Sequence, residues 1–322
     1  MNLSFAAELA ELVDALDSDS SVCLKHSGSS PEFRTIKQPK YYFEPCSSSI
    51  ASMENTKNII LTSIQNPLIK QVRKLHRSKE RAKQNLLLIE GTNLIEAACQ
   101  ADYKLDIIFY TDRWRDHHQP LCRIITEKNF TTQLVSSDVI SAIATTVNPD
   151  GVVAIAPRIP VTNADLVIQG LGIALERLQD PGNLGTIIRT GSAAGIEGLW
   201  LSSDSVDFYN PKVLRASAGQ WFNVPIVTCQ NLLELAVVQQ QQGVQIIATS
   251  SRASKTYWEL DFTRPSLILL GNEGAGLSPE LIDIADQQVT IPLANNVESL
   301  NVSVATALLL YEAKRQSMIT DY

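Results

Sequence analysis

Past residue 160, apolar runs at Ile173 to Leu175, Gly198 to Leu201, Pro225 to Val227, Val244 to Ala248, Leu267 to Leu270 and Val289 to Ile291 alternate with helix-length segments. That alternation predicts a parallel β-sheet covered by helices, a fold that binds ligands at the carboxyl ends of its strands. Between Thr62 and Ala156 the pattern predicts a smaller α/β unit. Its helices are expected at Asn66 to Ser78, Asn93 to Gln100 and Asp138 to Ala144, its strands at Leu105 to Tyr110 and Gly151 to Ala156, with a further apolar run at Asn85 to Ile89. Pro157 to Pro160 is the expected linker. Three segments result: a low-order extension over 1–55, a small α/β domain over 60–157 and a larger parallel-sheet domain over 165–318. The extension is Ser-rich around Pro31, Pro39 and Pro45, and its acids Glu8, Glu11, Asp14 and Asp17 argue against an organelle-targeting peptide. Met53 stands just before the first well-patterned segment and is an alternative translation start.

Composition narrows the class without naming it. A chain of 322 residues with 44% hydrophobic content can bury two cores. Its longest apolar runs fall far short of the roughly 18 residues that cross a bilayer. Five widely spaced cysteines with no C-x-x-C pair argue against both a disulfide framework and a zinc site, and point to a reducing cytoplasm. The net charge of −7 is unevenly spread. From Thr56 to Lys83 eight basic residues, among them Lys70, Arg73, Lys74, Arg77 and Arg81, face the single acid Glu80. Such a run is either a solvated helix surface or a phosphate-gripping face.

Three turn-rich segments lie at expected strand ends: Pro181 to Thr190, Leu270 to Ser278 and Ile291 to Ser303. In the first, Asn183 is a candidate N-cap, Leu184, Ile187 and Ile188 share one helical face, and Arg189 points away from it. In the second, Gly271, Gly274 and Gly276 have the spacing G-x-x-G-x-G with no following lysine, so neither the P-loop nor the Rossmann fingerprint is met. Glu273 within that loop opposes phosphate and suits a cationic ligand such as a sulfonium. In the third, Ser299 is a candidate N-cap for a long apolar helix closed by Lys314 and Arg315, and Asn301 lies in its first turn. All four histidines precede residue 119, which leaves the larger domain without a histidine base, and Cys229 has no charged neighbour to activate it.

Taken together these segments resemble the SpoU (TrmH-type) branch of the SPOUT RNA 2'-O-ribose methyltransferases, over about residues 60 to 318. Asn183, Gly185, Arg189 and Thr190 meet the family's N-x-G-x-x-x-R-T motif; Gly271, Glu273, Gly276 and Leu277 meet G-x-E-x-x-G-L. Ile291, Pro292, Ser299, Leu300, Asn301, Val302 and Ser303 meet the third, in which Leu293 replaces a methionine and Asn295 a glycine. Upstream, Ser63 to Pro67, Lys70, Lys74, Leu75, Leu87 to Gly91 and Gly151 to Ala154 resemble the family's L30e-like substrate-binding domain. The resemblance implies a SPOUT domain with a C-terminal trefoil knot, S-adenosylmethionine as methyl donor, an RNA rather than DNA partner, and a homodimer. It implies catalytic roles for Arg189, Asn183, Ser299 and Asn301, and cofactor contacts from Leu270, Gly271, Asn272, Glu273, Gly276, Ile291, Leu293, Leu300 and Asn301. RNA contacts fall on Lys70, Arg73, Lys74, Arg77 and Arg81, and ribosomal RNA is favoured over transfer RNA. Deprotonating a guanidinium at pH 7 costs roughly 8 kcal/mol, which favours Arg189 as a charge-stabilising and positioning group over a base. Two other readings stay open: a non-enzymatic RNA-binding or ribosome-assembly protein in which Asn295 closes the cofactor site, and a nucleotide-dependent enzyme.

Overall fold

The computed structural model describes residues 60–161, 166, 168–295 and 297–320. The expectations for the 1–55 extension and for Met53 lie outside the described residues. Residues 60–320 belong to one compact unit containing two sheets.

The chain enters through α1 (Pro67–Lys74), which Asn66 caps by accepting the Leu68 N–H at 2.9 Å and which buries Leu68, Ile69 and Val72. The single helix expected from Asn66 to Ser78 is two: α2 (Ser78–Gln84) follows after a break. The cause is Arg81, whose Nη1 donates to the carbonyls of Leu75 and His76 at 2.9 and 3.1 Å, satisfying acceptors at the end of the first helix while the chain turns.

Next come β1 (Leu86–Glu90), α3 (Thr92–Gln100), β2 (Ile107–Tyr110), α4 (Asp112–His117), α5 (Gln119–Glu127), β3 (Thr132–Leu134), α6 (Ser137–Ile143) and β4 (Val152–Pro157). They form a four-stranded sheet of order β1-β4-β2-β3, in which only β2 and β3 pair in parallel. The pattern gave no signal for α4, α5 or β3: α5 buries only Leu121 and Ile125, and β3 only Leu134.

The remaining elements are β5 (Leu171–Leu175), α7 (Pro181–Ala194), β6 (Gly198–Ser202), α8 (Pro211–Ala216), β7 (Ile226–Cys229), α9 (Leu232–Gln241), β8 (Gln245–Thr249), β9 (Lys255–Thr256), β10 (Ser266–Leu270), α10 (Pro279–Ile284), β11 (Gln287–Thr290) and α11 (Val302–Thr320). All seven strands run parallel, in the order β7-β6-β5-β10-β8-β11-β9. β10 is central and buried along its whole length. From β5 the sheet grows through β6 on one side and β10 on the other, and in such sheets the crevice at the strands' carboxyl ends is where ligands bind. Leu175 and Leu270, the last residues of β5 and β10, are register partners there.

One hydrophobic core joins the two sheets, taking in Leu87 and Ile108 from the first, Ile173 from the second, and Leu184, Tyr209 and Trp221 from the segments packed against them. The Tyr103 ring lies 5.8 Å from Trp221 and 5.2 Å from Phe222. Two ion pairs close the seam: Arg81 to Asp207 at 2.6 Å and Arg215 to Glu90 at 2.8 Å. Gly219, at φ +86°, leaves space only for hydrogen there, since a Cβ would stand 2.6 Å from that of Ala97.

Candidate active site at the strand ends

The polypeptide leaves β5 through Glu176 and Arg177 and starts α7 at Pro181. Asp180, not Asn183, is the N-cap; its Oδ1 accepts the N–H groups of Gly182 and Asn183 at 2.6 and 2.9 Å. Those bonds hold its carboxyl below the usual range. Asn183 is thereby released from capping, and its side chain turns toward the other two motifs. Its Nδ2 donates to Glu273 Oε1 at 3.1 Å, and its Oδ1 accepts Asn301 Nδ2 at 3.0 Å. The residues singled out in three separate motifs meet in one hydrogen-bonded chain. Each amide keeps one N–H uncommitted by these bonds, a donor available to a ribose hydroxyl.

At α11 the cap is Asn301 rather than Ser299: Asn301 Oδ1 accepts the Ser303 N–H at 2.9 Å and its hydroxyl at 2.6 Å. Ser299 stays in the preceding loop. Nor do Lys314 and Arg315 close the helix, which runs on to Thr320; Arg315 pairs instead with Glu312 one turn back.

The second motif is a closed loop. Asn272 and Gly276 exchange backbone hydrogen bonds at 3.1 and 2.9 Å, and Asn272 Oδ1 accepts the N–H groups of Gly274 and Ala275. A Cβ on Gly271 would lie 2.0 Å from the Gly276 carbonyl carbon, so this glycine serves a backbone crossing. Gly185 is similar: its missing side chain lets α7 and α8 touch, with Ala216 2.4 Å from where its Cβ would stand. The buried Leu270 directs its carbonyl to the Glu176 N–H at 2.9 Å.

At the ends of β8 and β11 lies a cavity of about 460 Å³, within the size range of small-molecule sites; of the expected cofactor contacts, Leu270, Gly271, Asn272, Glu273, Gly276 and Asn301 do not line it. Ile291, Leu293, Ser299 and Leu300 line it, joined by Thr249, Ser250 and Ser251, which sequence reasoning missed. The strand-end rule applied to Val244 to Ala248 would have found those three. Among the described residues lining the cavity the only charged one is Glu298. Aliphatic walls suit a purine, hydroxyls and strand-end backbone suit its polar edge, and an acidic wall without a cation suits a sulfonium. The same wall repels a triphosphate, which removes the support for a nucleotide-dependent enzyme. Asn295 sits at φ +56° with its side chain exposed, so the loop keeps the left-handed turn that a glycine would supply.

Arg189 is exposed, on the ridge that also carries Asn183 and Thr186, about 9 Å further along the helix axis. No hydrogen bond or ion pair holds it among the described residues, which leaves its guanidinium available to an external anion. Of the basic residues assigned to RNA, Lys70, Arg73, Lys74 and Arg77 are exposed. Arg81 is not one of them: it is 2% exposed, bonded to Asp207 and to two carbonyls, and its burial takes it off that face.

Comparison with known proteins agrees with this geometry. Residues 170–311 match the SpoU rRNA Methylase family, and residues 66–154 match an MRM3-like substrate binding domain. An uncharacterized tRNA/rRNA methyltransferase of Synechocystis is 44% identical, with 84% of this chain and 96% of that protein covered. The 23S rRNA (guanosine(2553)-2'-O)-methyltransferase RlmP of Bacillus subtilis is 32% identical over 79% of this chain and 98% of its own. Among solved structures, the AdoMet-bound rRNA methyltransferase of Sinorhizobium meliloti superposes with a TM-score of 0.72 at 32% identity, covering 80% of this chain and 97% of that one. With three motifs joined by hydrogen bonds through Glu273, Asn183 and Asn301 and relatives matched along nearly their whole length, the chain belongs to the SpoU rRNA methylase family.

Proposed function

We propose that this protein transfers a methyl group from S-adenosylmethionine to a ribose 2'-hydroxyl of RNA, with large-subunit ribosomal RNA favoured over transfer RNA. The observation that carries the reading is the bonded chain Glu273–Asn183–Asn301 beside a cavity whose charged wall is acidic. RlmP, matched across both halves of the chain, is named for 23S rRNA, which supports the choice of RNA. A non-catalytic RNA-binding role loses its premise, because the side chain of Asn295 is exposed.

In this mechanism Ile291, Leu293 and Leu300 would hold the cofactor, and Glu298 and Glu273 would supply negative charge that favours its cationic sulfur. The bound cofactor supplies an electrophilic methyl group. Asn183 and Asn301 orient the ribose through their uncommitted N–H groups. Arg189 binds RNA phosphate and stabilises the developing 2'-alkoxide, whose proton leaves to solvent or to an RNA phosphate. Lys70, Arg73, Lys74 and Arg77 grip the backbone, giving affinity that falls with salt. The active protein is a cytoplasmic homodimer with the family's trefoil knot. Dimerisation is supported by an exposed apolar stripe on α11, Val304, Leu308 and Tyr311 at i, i+4 and i+7, bordering a groove of about 430 Å³. The thiols of Cys99 and Cys122, free among the described residues, suit a reducing compartment.

The test is transfer of labelled methyl from S-adenosylmethionine to unmodified ribosomal and transfer RNA, scored by resistance of the product to alkali. Arg189→Lys, which keeps the charge but loses the planar fork, is expected to retain about 1% of turnover or less with cofactor affinity unchanged. Near-normal turnover removes Arg189 from the chemistry, and absence of transfer to either RNA overturns the reading as a whole.

A further inference from the structure

Glu176 and Arg177 belong to none of the three motifs, yet they touch the glycine-rich segment at four residues, Leu270, Asn272, Gly276 and Ser278. Glu176 donates its N–H to the Leu270 carbonyl, and its Oε2 accepts the Ser278 N–H at 2.7 Å, just ahead of α10. Arg177 accepts Asn272 Nδ2 at its own carbonyl at 2.8 Å. Its Nη2 lies 3.3 Å from the Glu176 carboxylate and 3.5 Å from the Gly276 carbonyl, a long contact. The loop's internal bonds shape a hairpin, but they do not fix how the hairpin leans over the strand ends.

The backbone at Arg177 adds a second kind of observation. Its φ is +54°, a conformation that glycine adopts freely and a long side chain does not. The Arg177 N–H is held there by Ser202 Oγ at 2.8 Å, and the next N–H, that of Leu178, by Ser205 Oγ at 3.1 Å. Arg177 Nε is buried with no partner. A strained backbone and an unsatisfied donor at one residue mark a place where local stability is given up for geometry. That geometry is what aims the Arg177 carbonyl at Asn272 and its guanidinium back along the loop.

We propose that Glu176 and Arg177 are positioning residues that clamp the Gly271–Ser278 loop, and so set where Glu273 stands relative to Asn183 and Asn301. The clamp acts through Glu273 rather than by touching substrate. It rests on the methyltransferase reading for its purpose, but the loop can be observed without cofactor or RNA.

The decisive variant is Arg177→Gly, which removes the guanidinium and the strain while keeping the backbone carbonyl. Amide hydrogen exchange across residues 272–278 is measured in the cofactor-free protein, with S-adenosylmethionine affinity by calorimetry and the melting temperature. Expected are an unchanged or raised melting temperature, loop exchange about tenfold faster, Kd for the cofactor about tenfold weaker, and unchanged RNA affinity. Glu176→Leu is expected to act in the same direction, and Glu176→Gln, which keeps an acceptor for Ser278, to recover most of the protection. Loop exchange and cofactor Kd within twofold of wild type in Arg177→Gly overturn the proposal, whether or not Glu176→Leu folds. Failure of the wild-type protein to bind S-adenosylmethionine defeats the methyltransferase reading instead, and loop exchange then decides the clamp alone.

Discussion

Gly185 sets helix propensity against packing. Alanine in place of glycine inside a helix gains about 1 kcal/mol, but a Cβ here would meet Ala216 at 2.4 Å and the Val213 carbonyl at 2.7 Å. Backbone cannot yield as a side-chain tip can, and overpacking costs about 1–3 kcal/mol, so Gly185→Ala is expected to lower unfolding free energy by up to about 2 kcal/mol. Urea denaturation measures it, and a gain in stability would show that α7 and α8 separate easily. The motif spacing made this glycine visible in the sequence but not its purpose, because a ligand contact and a helix crossing both select glycine. Arg81 shows the opposite gap. Its place in a basic run suggested RNA, and the partner that makes it structural, Asp207, is 126 positions away.

At the scale of elements, six strands of the parallel sheet were legible because each contains or overlaps a short apolar run, buried on both faces in β10 and only at Val289 in β11. Two helix starts were not, since Asp180 and Asn183 are both good caps, as are Ser299 and Asn301. In the first case a deciding signal was present: Pro181, favoured at the first helical position, places the cap at Asp180. Asp180→Ala is therefore expected to cost about 1 kcal/mol at pH 7. Because the folded-state pKa of Asp180 lies below its ordinary value of 3.8, its contribution is fully present above that pH. It is lost as pH falls through the folded value. Chemical denaturation should show the gap between wild type and variant narrowing below about pH 4; a gap independent of pH would mean that the carboxylate charge contributes nothing to the cap.

Across the whole molecule, two apolar patterns were legible as two α/β units, but not their fusion. The seam depends on pairings no local pattern contains: Arg81 with Asp207, Arg215 with Glu90, and Ala97 against Gly219. Asp207→Ala strands a buried guanidinium and is expected to cost about 3 kcal/mol. Scanning calorimetry of the wild type should give a single transition, since one core spans both sheets; two resolved peaks would contradict the shared core. The seam also limits how such a protein can be recombined. Exchanging the N-terminal half for that of a relative, in order to redirect the enzyme to another RNA, transplants Arg81, Glu90 and Ala97 away from their complements. The exchangeable cassette is thus not the 60–157 segment alone: a working chimaera must carry 207–219 along with it or redesign both sides of the joint.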